Sequence, residues 1–393
     1  MSLRRRTLLA AGLAAPWARS ATGRAAPIER QGLAYVGSYT SAENQGVGPG
    51  ITLVRMDPHS GALSKIAQVT TGDPSWIAID PARRNLYALD EKSDGAVSAW
   101  AIDPGDFSLR RLNEVASGGA APAYVSVHPS GRYVLCANYM GGNISVLPVR
   151  QPDGQLAPAA DIVPGTGPRG PEHPATAPDN HAKSDHAASH MHMVRADPTG
   201  RFVLAVDAGR DRIDVFSIDL ATGRLRAAAR PFVALEPGSA PRHLVFGGHG
   251  RTVYVLSEQD SAIDAFHFDP ATGALTPFQR VRSLPLGFAG SNLAAELVIS
   301  ADGRFLYATQ RLHDSISVLA IGADGRLRLI DETWTRGDYP RNCTIDPSGR
   351  FLFCANQRGD SITSFRIDQS SGQLAFTGQY FGIGSPVTMS FLS

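Results

Sequence analysis

Cysteine is scarce, with three in 393 residues: Cys136, Cys343 and Cys354. A number that small and odd excludes a disulfide framework. Each lies in an apolar run of strand character, so buried thiols are expected. Cys343 and Cys354 fall on neighbouring strands, which leaves a single bridge open. An excess of charge of either sign is also missing. The 37 basic and 36 acidic residues give a net charge of +1, which offers no electrostatic footprint for nucleic acid or an anionic membrane. No apolar run is long enough to span a bilayer. What abounds instead is turn formers: 40 glycines and 27 prolines point to many short elements rather than long helices.

The N-terminus is set apart from the fold. Arg4-Arg5-Arg6 precedes Thr7-Leu8-Leu9, a short Leu/Ala run and small residues through Ala26. This is the layout of a cleavable export signal over residues 1–26. Its paired arginines have the twin-arginine pattern, which would place a folded product in the periplasm.

From there a unit repeats. The turn Pro-x-Gly-Arg, or a relative of it, places arginines at 84, 132, 201, 251, 304 and 350, so that the intervals are 48, 69, 50, 53 and 46 residues. That period suits a four-stranded propeller blade. An apolar run precedes each turn (strand A, for example Met193–Ala196), a second follows it (strand B, Phe202–Val206), and a third alternates (strand C, Ile213–Ile218). Leu33–Ser38 and Ile51–Met56 supply strands B and C of a unit that lacks its A. Pro386–Leu392 supplies an A with nothing after it. Pairing these half-units yields an all-β, seven-bladed propeller over residues 32–393, with no open edge. Two packed sandwiches would not explain complementary halves at the two ends. The long interval is assigned to a surface loop, residues 164–189, rich in Pro, Gly, Ala and His.

Positions where single copies depart from the repeat are the candidates for function. Strand A is innermost and B runs antiparallel to it, so A starts and B ends share one face of the ring. In register, the A starts are Ser75, Ala123, His192, Arg242, Ala295 (then Glu296), Arg341 and Val387. Past the B strands come Asp90-Glu91, Asn138-Tyr139, Asp207, Ser257-Glu258, Gln310-Arg311 and Asn356-Gln357. A histidine, three arginines and several carboxylates therefore converge on one mouth. Alternatives stand beside this reading. Arg341 also fits a structural ion pair with a neighbouring blade, and Glu91 and Asp207 also fit turn caps. Strand alternation sends His190 and His192 to opposite sides, with His192 facing the axis. His173, His181, His186 and His190 match no compact ligand spacing, so neither metal nor cofactor is expected.

The chain closely resembles the bacterial seven-bladed propeller lactonases, a family that includes 6-phosphogluconolactonase and is related to fungal carboxy-muconate cyclases. The markers are Tyr35–Thr40, Ala137-Asn138-Tyr139, Gly142-Asn143-Ile144, the His-x-His of His190 and His192, Pro241-Arg242-His243 and Ser257-Glu258. Further markers are Ala295-Glu296-Leu297, Arg311 before His313-Asp314-Ser315, Pro340-Arg341-Asn342 and Ala355-Asn356-Gln357. The resemblance implies site residues at His192, Arg242, Glu258 and Arg311, the four that the repeat comparison also selects. Gln310 stands where the family commonly has Asn, and the loop before His190 is longer than usual.

The implied chemistry is hydrolysis of a sugar-type lactone. His192 serves as general base; Glu258 orients it, or is the base itself if burial raises its pKa; Arg242 and Arg311 cradle the oxyanion or an acid group. Arg341, Asn356, Asn138, Glu91, Asp207 and His190 are expected to contact substrate. The partner is a small lactone or organic acid, with no nucleic acid or membrane, and a monomer is favoured. Two other readings use the same groups: muconate lactonisation, and non-catalytic binding of a small acid or a protein by a periplasmic propeller.

Overall fold

The computed structural model describes residues 30–392; the expected export signal lies outside them. Seven four-stranded antiparallel sheets form the blades. Blade 1 joins the two ends of the chain: Pro386–Phe391 is its strand A, and Leu33–Ser38, Ile51–Met56 and Leu63–Val69 follow as B, C and D. Ala34 pairs with Phe391 and Val36 with Met389. The half-units do combine, and the ring closes on a strand pair rather than on a loop.

The recurring turn has a local cause. In blades 4 and 7 an aspartate ends strand A, and its Oδ1 accepts amides across the turn. Asp197 takes those of Arg201 and Phe202, and Asp346 that of Phe351. The third turn residue must be left-handed, which glycine adopts without steric cost. Gly131, Gly200, Gly303 and Gly349 have φ of 67–73°. In blade 2 a non-glycine residue, Arg83, occupies the same place at φ 57°.

Blades are held to their neighbours by apolar clusters rather than by one central core. Leu135, Met193, Leu204 and Leu244 pack across blades 3, 4 and 5; Phe351, Val36 and Met389 join blade 7 to blade 1. A tyrosine hydroxyl locks five of these joints. Tyr35, Tyr87, Tyr133, Tyr254 and Tyr307 each donate to a carbonyl in the C–D turn of the next blade, at Phe107, Gly154, Leu220, Gly325 and Gly372. Cys343 and Cys354 are directly opposed across strands A and B of blade 7, yet all three thiols are free and buried.

The insertion differs from expectation. Asp161–Pro164 is the fourth strand of blade 3, so the excursion begins at 165. It is a strap bound down over the mouth rather than a loose loop. Asn180 donates to the carbonyls of Gln259 and Asn292, and Thr176 donates to Asp260. His186 lies 3.3 Å from Asp211 with its side chain fully buried. Those bonds reach blades 4, 5 and 6.

Loss of one inter-blade hydroxyl should be measurable. Tyr307→Phe leaves the buried Gly372 carbonyl without its donor and should lower the unfolding free energy by about 1–2 kcal/mol. The check is the midpoint of urea unfolding; an unchanged midpoint would deny the hydroxyl this role.

Candidate active site

Two rings of residues face the mouth, and both follow from one local irregularity. In blades 1, 3, 4, 5, 6 and 7 the A–B ladder slips near the start of strand A: between Met191 and Met193, Pro241 and His243, and Pro340 and Asn342, with counterparts in the others. The residue left over is a β-bulge, which re-aims its side chain. The extra residues include Val387, Ala123, His192, Arg242 and Arg341, and in blade 6 Ala295 with Glu296. The second ring is the residue just after the B-strand end: Tyr39, Glu91, Tyr139, Ala208, Glu258, Arg311 and Gln357. Every one of these seven amides donates to the carbonyl two residues before the A-start position, from Tyr39 to Ser385 round to Gln357 to Tyr339.

Charge concentrates on blades 5, 6 and 7. Glu258 Oε2 lies 3.1 Å from Arg242 Nε and 2.7 Å from Arg311 Nη2. The first contact is an ion pair without hydrogen-bond alignment, since Arg242 Nε counts as unsatisfied. Ser184, from the strap, donates to Glu258 Oε1 at 2.9 Å. Burial pushes the Glu258 carboxyl up, but Arg311 and Arg242 outweigh it and hold it below its ordinary value. It is thus ionised and committed to guanidiniums, not to the imidazole, contrary to the expectation of a raised base. Burial and the neighbouring Arg311 and Arg341 push Arg242 down to about 10. Arg242 and Arg311 are further pinned by the carbonyls of Ala295 and Ala294. Arg341 makes no ion pair within 4.0 Å among the described residues; its guanidinium sits 5.4 Å from the centroid of Tyr39. Its reading as a structural ion pair fails.

His192 is buried, its ring 5.1 Å from that of His243 and 5.5 Å from Tyr139, edge-on to both. Its Nδ1 has no hydrogen-bond partner. Burial, reinforced by Arg242, His243, Arg341 and Arg311, holds it well below the usual histidine value, so it is neutral at neutral pH. His192 continues into an aromatic cluster through His243. Trp76, Tyr124 and His243 meet with centroids 4.4–5.3 Å apart. His243 Nδ1 lies 3.1 Å from Glu296, whose other oxygen accepts from Asn342 at 2.9 Å.

His190 is not on the far side. The bulge breaks the alternation, and His190 stacks on Tyr139 at 4.6 Å while His192 meets the same ring edge-on. Its Nδ1 lies 3.0 Å from the Tyr139 carbonyl, and Asp185 lies 3.3 Å from Nε2.

Three other expected contacts are not brought into the mouth. Asn138 donates to Ser117 and Asn143, Asn356 to Thr363, and Asp207 accepts from the Ser189 hydroxyl and the His190 amide. All three end strand B, one residue short of the mouth-facing ring. Glu91 does belong to that ring: its Oε2 accepts from Tyr39 at 2.8 Å.

A cavity of about 460 Å³ opens over blades 7, 1 and 2, lined by Tyr39, Glu91, Tyr339, Arg341, Gln357 and Arg358 among others. Arg311, 3.3 Å from the Tyr339 hydroxyl, connects the cavity to the Glu258 cluster. Tyr39, Tyr339, Tyr139 and Ser184 were not selected as site residues from the sequence. The first and third occupy the ring position after strand B and Tyr339 the repeated place two residues before the A start, signals that were available; Ser184 lies in the strap, which carries no repeat. Among the described residues no group of three His, Cys, Asp or Glu side chains is placed to hold a metal.

A closed seven-bladed ring with this mouth is the architecture of the propeller lactonases. The profile of the "Lactonase, 7-bladed beta-propeller" family matches residues 33–391, and the chain belongs to that family. Among individual proteins, it is 31% identical over 365 residues to the 6-phosphogluconolactonase of Bacillus subtilis, covering 92% of this chain and 98% of that one. It is 28% identical to the 6-phosphogluconolactonase of Serratia proteamaculans, with 85% and 93% covered. It superposes on the periplasmic gluconolactonase of Pseudomonas aeruginosa with a TM-score of 0.82 and 31% identity, over 92% of this chain and 99% of that one.

The buried histidines make stability fall in acid. His192 and His243 are both depressed in the folded state, His243 to about 4 through burial, while the unfolded chain protonates near 6.5. Stability that is full above that value is lost as pH drops below it, and for His243 the loss continues down to about 4. His186, raised by Asp211 against its burial, opposes the trend without reversing two sites. Urea midpoints measured between neutral pH and pH ~5 should show a loss on the order of 1–3 kcal/mol. The slope should be shallower in His243→Asn; an identical slope would mean that His243 does not titrate in this way.

Proposed function

We propose that this protein hydrolyses a sugar-type lactone, with His192 as general base. The observation that carries the reading is a neutral imidazole with an unspent Nδ1, set among three guanidiniums, one of which, Arg341, lines a ligand-sized cavity. The lactone lies in the cavity over blades 7, 1 and 2, with Arg341 holding its hydroxyl or acid groups. His192 takes a proton from water as that water adds to the carbonyl carbon. Charge then develops on the carbonyl oxygen, and Arg242 and Arg311 stabilise it from fixed positions. Glu258 keeps the two arginines side by side against their mutual repulsion, so they need not reorganise during the reaction. The names of the relatives, 6-phosphogluconolactonase and gluconolactonase, support a lactone as substrate. Export through the twin-arginine-like segment at Arg4–Arg6 would favour an unphosphorylated lactone, because sugar phosphates are made in the cytosol.

A panel containing glucono-δ-lactone, its 6-phosphate and a muconolactone tests this. Turnover of a sugar lactone is expected, with kcat/KM lowered about a hundredfold or more by His192→Ala and by Arg311→Ala. Absence of turnover on every lactone would refute the proposal. Release of a muconate rather than a hydroxy acid would assign the site to lactonisation chemistry. Cell fractionation should find the protein in the periplasm, and Arg5→Lys with Arg6→Lys should retain it in the cytoplasm.

A further inference from the structure

Two carboxyl groups stand in the mouth at equivalent positions, one residue past the end of strand B, and their surroundings are opposite. Glu258 has two guanidiniums within 3.1 Å. Glu91 has none within 4.0 Å among the described residues. The group that reaches it is a neutral donor, the Tyr39 hydroxyl, 2.8 Å from Oε2. Glu91 also lines the cavity beside Tyr39 and Arg341, whereas Glu258 does not.

We infer that Glu91 is the general acid that protonates the ring oxygen as the lactone opens. This rests on the lactonase reading above and adds the half of the reaction that His192 cannot perform. Opening expels an alkoxide, a poor leaving group unless it receives a proton. Water adds to the carbonyl carbon and gives a proton to His192. The bond between that carbon and the ring oxygen then breaks, its electron pair stays on the oxygen, and the Glu91 proton converts that oxygen to a hydroxyl. The proton on His192 returns through solvent to the Glu91 carboxylate. One water is consumed and a hydroxy acid leaves.

The geometry suits this division. Glu91 comes from blade 2 and His192 from blade 4, and the blade between them presents Ala123 at its A start and Tyr139, edge-on to His192, after its strand B. After donation the new carboxylate would be met by the Tyr39 hydroxyl and faced by the Arg341 guanidinium. The groups facing Glu91 are Arg341 from blade 7, Ser75 from its own blade, Tyr39 from blade 1 and Arg242 from blade 5. Asp73 and Asn44 engage only its main chain. Burial holds the carboxyl above its ordinary value against the pull of Arg341. Separated acid and base values of this kind are what a two-group mechanism requires.

Two lactones of different leaving group test the assignment: glucono-δ-lactone, which expels an alkoxide, and dihydrocoumarin, which expels a phenolate needing little help. Glu91→Gln should lower kcat/KM about a hundredfold or more on the first and less than about tenfold on the second. In the wild type, activity on glucono-δ-lactone should decline as pH rises through the Glu91 pKa. Tyr39→Phe removes a donor to the carboxylate, so it should move that decline to higher pH. A thermal melt establishes that each variant is folded, and the Tyr39→Phe shift carries the test if Glu91→Gln does not fold. Equal losses on both lactones, or an alkaline limb unmoved by Tyr39→Phe, would overturn the role of Glu91 while leaving lactone hydrolysis standing. A wild type inactive on both lactones would overturn the lactonase reading, and this assignment with it.

Discussion

One hydrogen bond, made seven times, shapes the functional end of this protein. The amide just past the end of each strand B donates to the carbonyl that leads into strand A of the same blade. Closing that bond over a shorter path on one strand than on the other forces a surplus residue, and the surplus appears as the bulge. A flat ladder would alternate its side chains between the two faces of the blade and send few of them toward the axis. The bulge turns His192, Arg242 and Arg341 inward, and the bonded amides fix Glu91, Glu258 and Arg311 on the rim beside them. The chemistry therefore varies from blade to blade on a backbone that does not.

The second constraint is electrostatic. Three arginines near one axis repel one another, and burial makes that repulsion costly. Glu258 answers two of them directly; the third, Arg341, lies against the Tyr39 ring. The packed rings of Trp76, Tyr124 and His243 and the burial of Arg242 and Arg311 keep the cluster in a medium where charge acts strongly. The same environment strips His192 of its proton. A neutral base beside a positive field is a consequence of packing charges of one sign around an imidazole, and needs no carboxylate partner for the ring.

The architecture was legible in the sequence because six blades repeat the same turn or a relative of it, and because the two half-units at the ends complete one another. The register list worked as well: Arg242, Arg341 and His192 share a bulge position that repetition exposes without any knowledge of the bulge. Alternation, by contrast, misled. It separated His190 from His192, although the inserted residue brings both to Tyr139. Asn138 and Asn356, with their successors, and Asp207 alone were read as one rim, whereas the last residue of strand B bonds within its own blade or to the chain entering it and only the next one faces the mouth. Ser184 comes from the strap, which has no counterpart in other blades, so nothing in the repeat points to it; Tyr339 holds the repeated place two residues before the A start and was legible there. The sign of the Glu258 shift was out of reach too, since it depends on two arginines lying within about 3 Å.

The closure of blade 1 has a consequence for biogenesis. Ala34 waits for Phe391, so throughout synthesis the earliest strands hold an unsatisfied edge while six further sheets emerge from the ribosome. Pairing at such separation is slow relative to local hairpins, and an open edge invites pairing with other chains. The ring thus closes only once Pro386–Phe391 has been made. A secretion route that carries finished proteins would let it close before transit, whereas one that threads extended chains would have to find the same distant partner afterwards, on the other side.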